Sequence, residues 1–319
     1  MDETEIIGCK YVNILVGLIT RPEKTLLFEC RPISSSANSN IILQVVDDAI
    51  KLLNIARVNF NLLLSDAASY MVSAGRTLHQ LYPHLFHITC VAHLIHNCAM
   101  KVRGHYEEVD KLIARVKNAV VKNKTRSKDF VNISQPPDTI ITRWASWLNA
   151  ALYYSSNLPE VKRIIKNWTG QGILVTQAKN IVENPNIVGF LMEIERCYSC
   201  LTNIIFKFEN ASCGILKAYN SMNELDFGDD PCDISGYIKK RLQKSEILDI
   251  VNANRPEISP HLYTLLMNCQ CTSSSVERSF SMLKKLLTKQ RNFKDENIRK
   301  YIILYYNASV SMENSTNVL

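Results

Sequence analysis

Apolar positions run through the first third of the chain in two alternating rhythms. Tyr11–Ile19 (YVNILVGLI) and Thr25–Cys30 (TLLFEC) are β-branched or apolar runs separated by the turn-like spacer Arg21-Pro22-Glu23-Lys24, which predicts a hairpin. The polar stretch Ser34–Ser39 ends it. Ile42, Val45, Val46, Ile50 and Leu53 then fall on one face of a helix over Ile41–Leu53. Asn59–Leu64 is a short apolar run of the kind that forms a strand covered on both faces. Met71, Ala74, Leu78 and Leu81 predict the next helix, stopped by Pro83. Leu85–Thr89 predicts a short strand, and Ala92, Ile95, Ala99 and Val102 the inward face of a helix from Val91. Hairpin, helix, strand, helix, strand, helix is an α/β pattern with a mixed sheet.

From Tyr106 to Tyr263 strand signals become scarce and helical spacing dominates, as in Trp147, Ala151, Tyr154 and Leu158. Gln135-Pro136-Pro137-Asp138 breaks the chain before that helix, and Asp226–Asp233 reads as an acidic loop. Thr272–Asn307 returns to two marked helices. Val276, Phe280, Leu283 and Leu287 face inward on the first, and Ile298, Tyr301, Ile302 and Tyr305 on the second. The expected organisation is an α/β body over 1–105, a mostly helical insertion over 106–263, a closing helical region over 264–307 and a loose tail over 308–319.

Composition narrows the class. With 319 residues, 46% hydrophobic and only 10 Gly and 10 Pro, the chain can bury a sizeable core and is neither collagen-like nor disordered. The net charge of +7 is compatible with a polyanionic partner without requiring one. No apolar run approaches the ~18 residues of a membrane span, so no membrane association is expected. Ten Cys behind an acidic N-terminus (MDETEIIGCK) read as reduced thiols in the cytosol or nucleus.

Several residues could carry chemistry. Asp66 stands where an apolar strand meets a helix, the edge at which α/β proteins build sites, or it caps that helix. Glu277 fits either a site or a capping box opened by Ser274. Cys90-Val-Ala-His93-Leu-Ile-His96 lacks a good fourth zinc ligand, Cys98 being the only nearby thiol, and Cys197-Tyr-Ser-Cys200 is isolated. No structural zinc is expected, and His93 reads instead as a polar group at a site edge. Arg143-Trp144 is either core or a pair that holds a phosphate and stacks a base. Lys111, Arg115, Lys117, Lys122, Lys124, Arg126 and Lys128 form either a solvated face or a DNA-backbone contact.

Taken in order, four blocks resemble the hAT superfamily of DNA transposases and their domesticated relatives. These are MDETEIIGCKYVNILVGLI, the stretch SDAASYMVSAGRTLHQLYPHLFHITCVAHLIHNCAMKVR with its Cys90-x2-His93, TRWASW, and SSSVERSFSMLKKLLTKQRNFKDENIRKYIILYYN. The resemblance implies an RNase H-like sheet interrupted by an all-α insertion and closed by C-terminal helices. It implies that Asp2, Asp66 and Glu277 are catalytic acids holding two Mg²⁺ or Mn²⁺ ions about 4 Å apart. It places His93 beside the scissile phosphate, and Trp144 and Arg143 on a flipped base and its backbone. It further implies DNA as partner, self-association through Thr272–Asn307 and a nuclear location (cytoplasmic if DNA is no longer bound). The chain departs from that pattern by starting at Met1-Asp2, without the family's zinc finger or the strand leading into the first acid. A truncated or domesticated derivative with Asp2 on a frayed end is therefore expected, either a metal-dependent nuclease by ancestry or a non-catalytic dimerisation and nucleic-acid-binding module.

Overall fold

The computed structural model describes residues 1–18, 21–34, 36–54, 56–137, 145–170, 172–210, 214–242, 260–289 and 294–316. The chain divides into two compact units. The first comprises residues 1–94, 208–220 and 241–319, and the second residues 95–207 and 221–240. It is a mixed α/β protein in which helices predominate.

The first unit opens with an antiparallel sheet of β1 (Asp2–Ile6), β2 (Cys9–Leu18) and β3 (Arg21–Ile33), in the order β1-β2-β3. The expected frayed end is corrected here: all five residues of β1 pair with β2, from Asp2 opposite Asn13 to Ile6 opposite Cys9. The Arg21–Lys24 spacer belongs to β3 rather than to a turn, because the β2–β3 register continues to Leu18 opposite Arg21. A two-residue loop, Ile7-Gly8, joins β1 to β2 with φ of 52° and 75°. Two positive φ values match the twist of a tight hairpin, but only glycine adopts them at no steric cost.

Helix α1 (Ser39–Leu53) is capped by Asn38, whose Oδ1 accepts the Ile41 amide at 3.1 Å. A parallel pair, β4 (Leu62–Ser65) and β5 (Phe86–Thr89), brackets α2 (Ser69–Leu81) and forms its own two-stranded sheet, so among the described residues the expected single mixed sheet is two sheets. β4 is shorter than the apolar run suggests, because Arg57–Asn59 turns as a 3₁₀ helix and Asn61 Nδ2 bonds back to Val58 O at 3.0 Å. The Met1 amino group donates to Leu64 O at 2.9 Å, which brings the start of β1 against β4.

Side-chain alternation along the sheet sets up two cores. Val12 and Ile14 pack with Ile42, Val46 and Ile50 of α1 and with Met71, Ala74 and Leu78 of α2. Leu81, expected inside, is exposed, and Tyr82 takes the inward position with its hydroxyl on Asp47 Oδ1 at 2.9 Å. On the opposite side Tyr11, Leu27 and Cys30 pack with the C-terminal helices. These follow α3 (Val91–His105), α4 (Glu107–Val121), α5 (Lys124–Ser127), α6 (Ser146–Lys166), α7 (Ile173–Val182), α8 (Asn186–Asn210), α9 (Ile215–Asn223), α10 (Ile234–Leu242) and α11 (Pro260–Asn268). They are α12 (Ser274–Lys289) and α13 (Asp295–Thr316), contributing Leu283, Ile298, Ile302 and Tyr306.

Ile298, Ile302 and Tyr306 recur every four residues and define the buried stripe of α13. Tyr301 and Tyr305, expected inside, lie one residue earlier on the turn and point outward. The expected loose tail is likewise helical as far as Thr316. Two polar ties fix α13 on β3. Glu29, 1% exposed, receives Arg299 Nε and Nη2 at 2.6 and 2.7 Å. Asn307 accepts the Leu27 amide and donates to its carbonyl, at 2.8 and 3.1 Å. Such charge-assisted and edge-satisfying bonds select one docking register where the apolar stripe alone would allow several.

The second unit contains helices and no strand among its described residues. Trp147, Ala151, Tyr154 and Leu158 are buried on α6 as their spacing predicts, with Trp147 Nε1 on Asp110 Oδ1 at 2.9 Å. The acidic loop is structural. Asp230 accepts the Tyr198 hydroxyl at 2.6 Å and the amides of Cys232, Ile234 and Ser235 at the start of α10. Gln135–Pro137 lie in irregular backbone, as expected of a Pro break, and Asp138 lies outside the described residues.

The Ile7 strain gives a direct test. Ile7→Asn replaces an exposed β-branched residue in the left-handed region by one that tolerates it, and should stabilise the protein by about 1 kcal/mol. Urea unfolding checks this; an unchanged or lowered midpoint would show the loop to be unstrained.

Candidate metal centre

Four side chains far apart in sequence converge in the first unit. Asp2 opens β1, His93 sits on the first turn of α3, and Glu277 on the first turn of α12. One ligand atom from each lies within 4.8 Å of the other two. Asp66 follows β4 and lies within electrostatic reach of both acids, although it is not one of that close trio.

The local structure decides between readings that the residues alone left open. α2 begins at Ser69 after Ala68, so Asp66 lies outside the cap position. Its Oδ1 accepts the Ala68 amide at 3.2 Å in a local turn. The helical bonds of α12 begin with Glu277 N on Ser273 O at 3.2 Å, so Ser273 is the cap residue. Glu277 is then one position too late for a capping box, and its carboxylate is turned to Asp2 instead.

Asp2 is 4% exposed. Its Oδ1 accepts the Glu3 amide at 2.8 Å, whereas its buried Oδ2 meets no hydrogen-bond donor and lies 3.7 Å from His93 Nε2. Burial, followed by the charges of Asp66 and Glu277, holds the Asp2 carboxyl well above the usual carboxylate range, although the buried Met1 ammonium pulls the other way. Burial likewise raises Asp66, with the Glu3 charge adding to it, and Glu277, where a hydrogen bond with Asp2 works the other way and the Asp66 charge adds to the rise. Three carboxyl groups that hold their protons too tightly, one with an orphaned buried oxygen, form a site that a divalent cation would satisfy. The residues fit such an ion.

Two neighbours carry no motif that would reveal them. Tyr70, on the first turn of α2, donates to Glu3 Oε2 at 2.9 Å beside the cluster. His87 on β5 meets Ser65 Oγ at 2.9 Å, and its ring fills the space that a side chain at Gly75 would need. Burial first, then the Met1 ammonium and Arg76, depress the His87 pKa to about 4, so it stays neutral near pH 7. The alternation of β4 and β5 hints at neither, since both are pairings across elements.

The basic run lies in the second unit. Lys111 pairs with Glu108 at 2.6 Å, and Lys117 Nζ reaches Pro136 O at 3.4 Å. Arg126 bonds to Ala119 O at 2.9 Å with its guanidinium over the Trp168 ring, 5.1 Å from the centroid. Lys122 caps the end of α4 and is exposed. The side chain of Lys124 and all of Arg143 and Trp144 lie outside the described residues. Cys197 and Cys200 lie on α8, with Cys197 Sγ on Asp229 O at 3.5 Å. No helix among the described residues is long and apolar enough to cross a membrane.

No protein-family model matches this chain, and no curated protein matches it in sequence. The arrangement of the side chains therefore carries the functional argument.

Crowding of acids makes a signed prediction. A carboxyl with a raised folded pKa favours the fold below its unfolded pKa, and that contribution is lost as pH rises through the folded value. Without divalent cations, Asp2→Asn should therefore stabilise the protein at pH 7 by about 1–2 kcal/mol and less at pH 4. Thermal melts at the two pH values check this; destabilisation at pH 7 would show the carboxylate to be favourably paired.

Proposed function

We propose that this chain is the body of an hAT transposase-like protein, by ancestry a divalent-cation-dependent enzyme of DNA cleavage and strand transfer. The observation that carries the reading is the convergence of Asp2, Asp66 and Glu277 from three distant segments, with His93 beside them. The hAT resemblance nominates these four from three separate blocks, together with Arg143 and Trp144 from a fourth. An RNase H-like fold is the finer form of the α/β class. Its support is the order of an antiparallel β1–β2–β3, α1, β4, α2, β5 and α3, with acids at β1 and just after β4.

In this reading Asp2, Asp66 and Glu277 hold Mg²⁺ or Mn²⁺. When bound, the ions acidify a water or 3′-hydroxyl and stabilise the leaving oxygen of a phosphodiester. Asp2 and Glu277 are fixed by a strand and a helix turn rather than by loops, as a shell needing about 0.5 Å tolerance requires. Arg143 and Trp144 belong to the proposal through the TRWASW block, and the nuclear location through the DNA substrate. Among the described residues of the basic run, Lys122 and Lys128 are exposed cations available to a phosphate backbone, whereas Arg126 and Lys117 are engaged within their own unit.

Nicking of supercoiled plasmid in Mn²⁺ or Mg²⁺ tests the enzyme reading. Asp66→Asn and Glu277→Gln should each lower the rate by more than about 100-fold, because even outer-shell partners of a metal are worth 10–100-fold. Equal cleavage by wild type and both variants sinks the assignment.

One observation favours the non-catalytic alternative, a dimerisation module. Tyr301, Leu304 and Tyr305 lie on one face of α13 and are 53%, 71% and 55% exposed, within the block the resemblance associates with self-association. Leu304→Glu should convert a self-associated protein to monomer in light scattering, with its melting temperature kept. An unchanged mass would remove this face from any interface.

A further inference from the structure

His93 is held from behind by groups that the proposed chemistry leaves unused. Cys90 precedes α3 and its carbonyl accepts the Leu94 amide at 3.2 Å, so it is the cap residue of that helix. Its wholly buried thiol interacts with the His93 backbone amide and accepts the Ser273 N–H at 3.2 Å and the Ser273 hydroxyl at 3.3 Å. Val91 N, bonded to Cys271 O at 2.9 Å, stitches the same two segments together. Ser273 Oγ lies 3.4 Å from His93 Nδ1, while the other ring nitrogen, Nε2, lies 3.7 Å from Asp2 Oδ2.

The proton count gives this chain of contacts a direction. A serine hydroxyl has one proton, and donating it to Cys90 Sγ leaves the Ser273 oxygen to accept from His93 Nδ1–H. A neutral imidazole carries one ring proton, so fixing it on Nδ1 makes Nε2 the acceptor nitrogen. Nε2 is also the nitrogen that faces the orphaned Asp2 oxygen. Histidines that ligate metals are held in just this manner, their second ring nitrogen donating to an outer partner.

We infer that Ser273, anchored by Cys90, is a positioning residue that presents His93 Nε2 as a nitrogen ligand to a divalent cation at Asp2 and Glu277. The inference rests on reading that cluster as a cation site and adds to it a ligand class. One imidazole among carboxylates favours a first-row transition ion over Mg²⁺, whose preferred ligands are all oxygen. Ser273 is 2% exposed, so it reaches the cation site through His93 and not through solvent.

Mn²⁺ binding to the whole chain tests the inference, read by loss of the free-ion electron paramagnetic resonance signal and by spin-echo modulation from a coordinated imidazole nitrogen. Wild type and Ser273→Thr should bind with that modulation, and excess Mg²⁺ should compete poorly. Ser273→Ala should weaken binding by about 10–100-fold and lose the nitrogen modulation with little change in melting temperature. Cys90→Ala, which removes only the anchor, should lose part of the modulation and covers the case in which Ser273→Ala does not fold. Asp2→Asn should abolish binding. If Asp2→Asn abolishes binding while Ser273→Ala and Cys90→Ala keep wild-type affinity and modulation, the positioning role is overturned and the cation site stands. If wild type takes up no Mn²⁺ at millimolar concentration, the cation site itself fails and the inference with it.

Discussion

Like charge held in a dry place is the constraint around which the first unit is organised. Asp2 and Glu277 are turned toward each other within hydrogen-bond reach, Asp66 adds a third acid, and burial denies all three the water that would favour their charged forms. Such a cluster persists only where the surrounding structure over-determines it. Here β1 is held along its whole length by β2, and Met1 is tied to β4. The segment before α12 is bonded to the start of α3 through Val91 and Cys90. Asn13, directly opposite Asp2 in the sheet, donates to Ser279 Oγ at 2.7 Å and joins β2 to α12 two residues beyond Glu277. The two apolar cores flanking the sheet supply the stability that this corner costs.

The same logic explains why the C-terminal helices are indispensable to the α/β body. α12 brings Glu277 to the sheet, and α13 covers the neighbouring face through Ile298, Ile302 and Tyr306. A purely apolar stripe could slide by a turn at small cost, and Glu277 depends on the helices not sliding. The bidentate Arg299–Glu29 pair and the clasp of Asn307 on Leu27 remove that freedom, since a slipped register would leave a buried carboxylate unpaired. Polar contacts remote from the acids thus set the geometry of the acids.

Much of this was legible in the residues. Helical spacing located α1, α2, α3, α6 and α12 because each buries one continuous stripe, and the apolar runs located β2 and β5. The errors have separate physical causes. Tyr301 and Tyr305 are apolar enough to look buried, but which residues of α13 face inward was fixed by Arg299 and Asn307, whose partners lie about 270 residues away. Asp2 looked frayed because its pairing with β2 is a tertiary fact. The Glu277 capping box failed by one residue, a margin that sequence spacing does not resolve. Arg126 belonged to a run open to a solvated face or a DNA contact, and nothing near it in sequence announces the Trp168 ring it covers.

The short motif around His93 shows how local and long-range requirements combine. In Cys90-x2-His93 the spacing of three places the thiol at the cap of α3 and the imidazole on its first turn, where the cap can meet the histidine's own amide. Neither zinc chemistry nor a redox pair is needed to explain that spacing. What it does not specify is the direction of the ring, which depends on Ser273 from the far end of the chain. Ser273 in turn is the residue at which the helical bonds of α12 begin, so one residue caps the helix that carries Glu277 and touches the ring of His93. Moving α12 would therefore move the acid and the imidazole together. An acid and a base joined in that way keep their mutual geometry even where the surrounding chain relaxes.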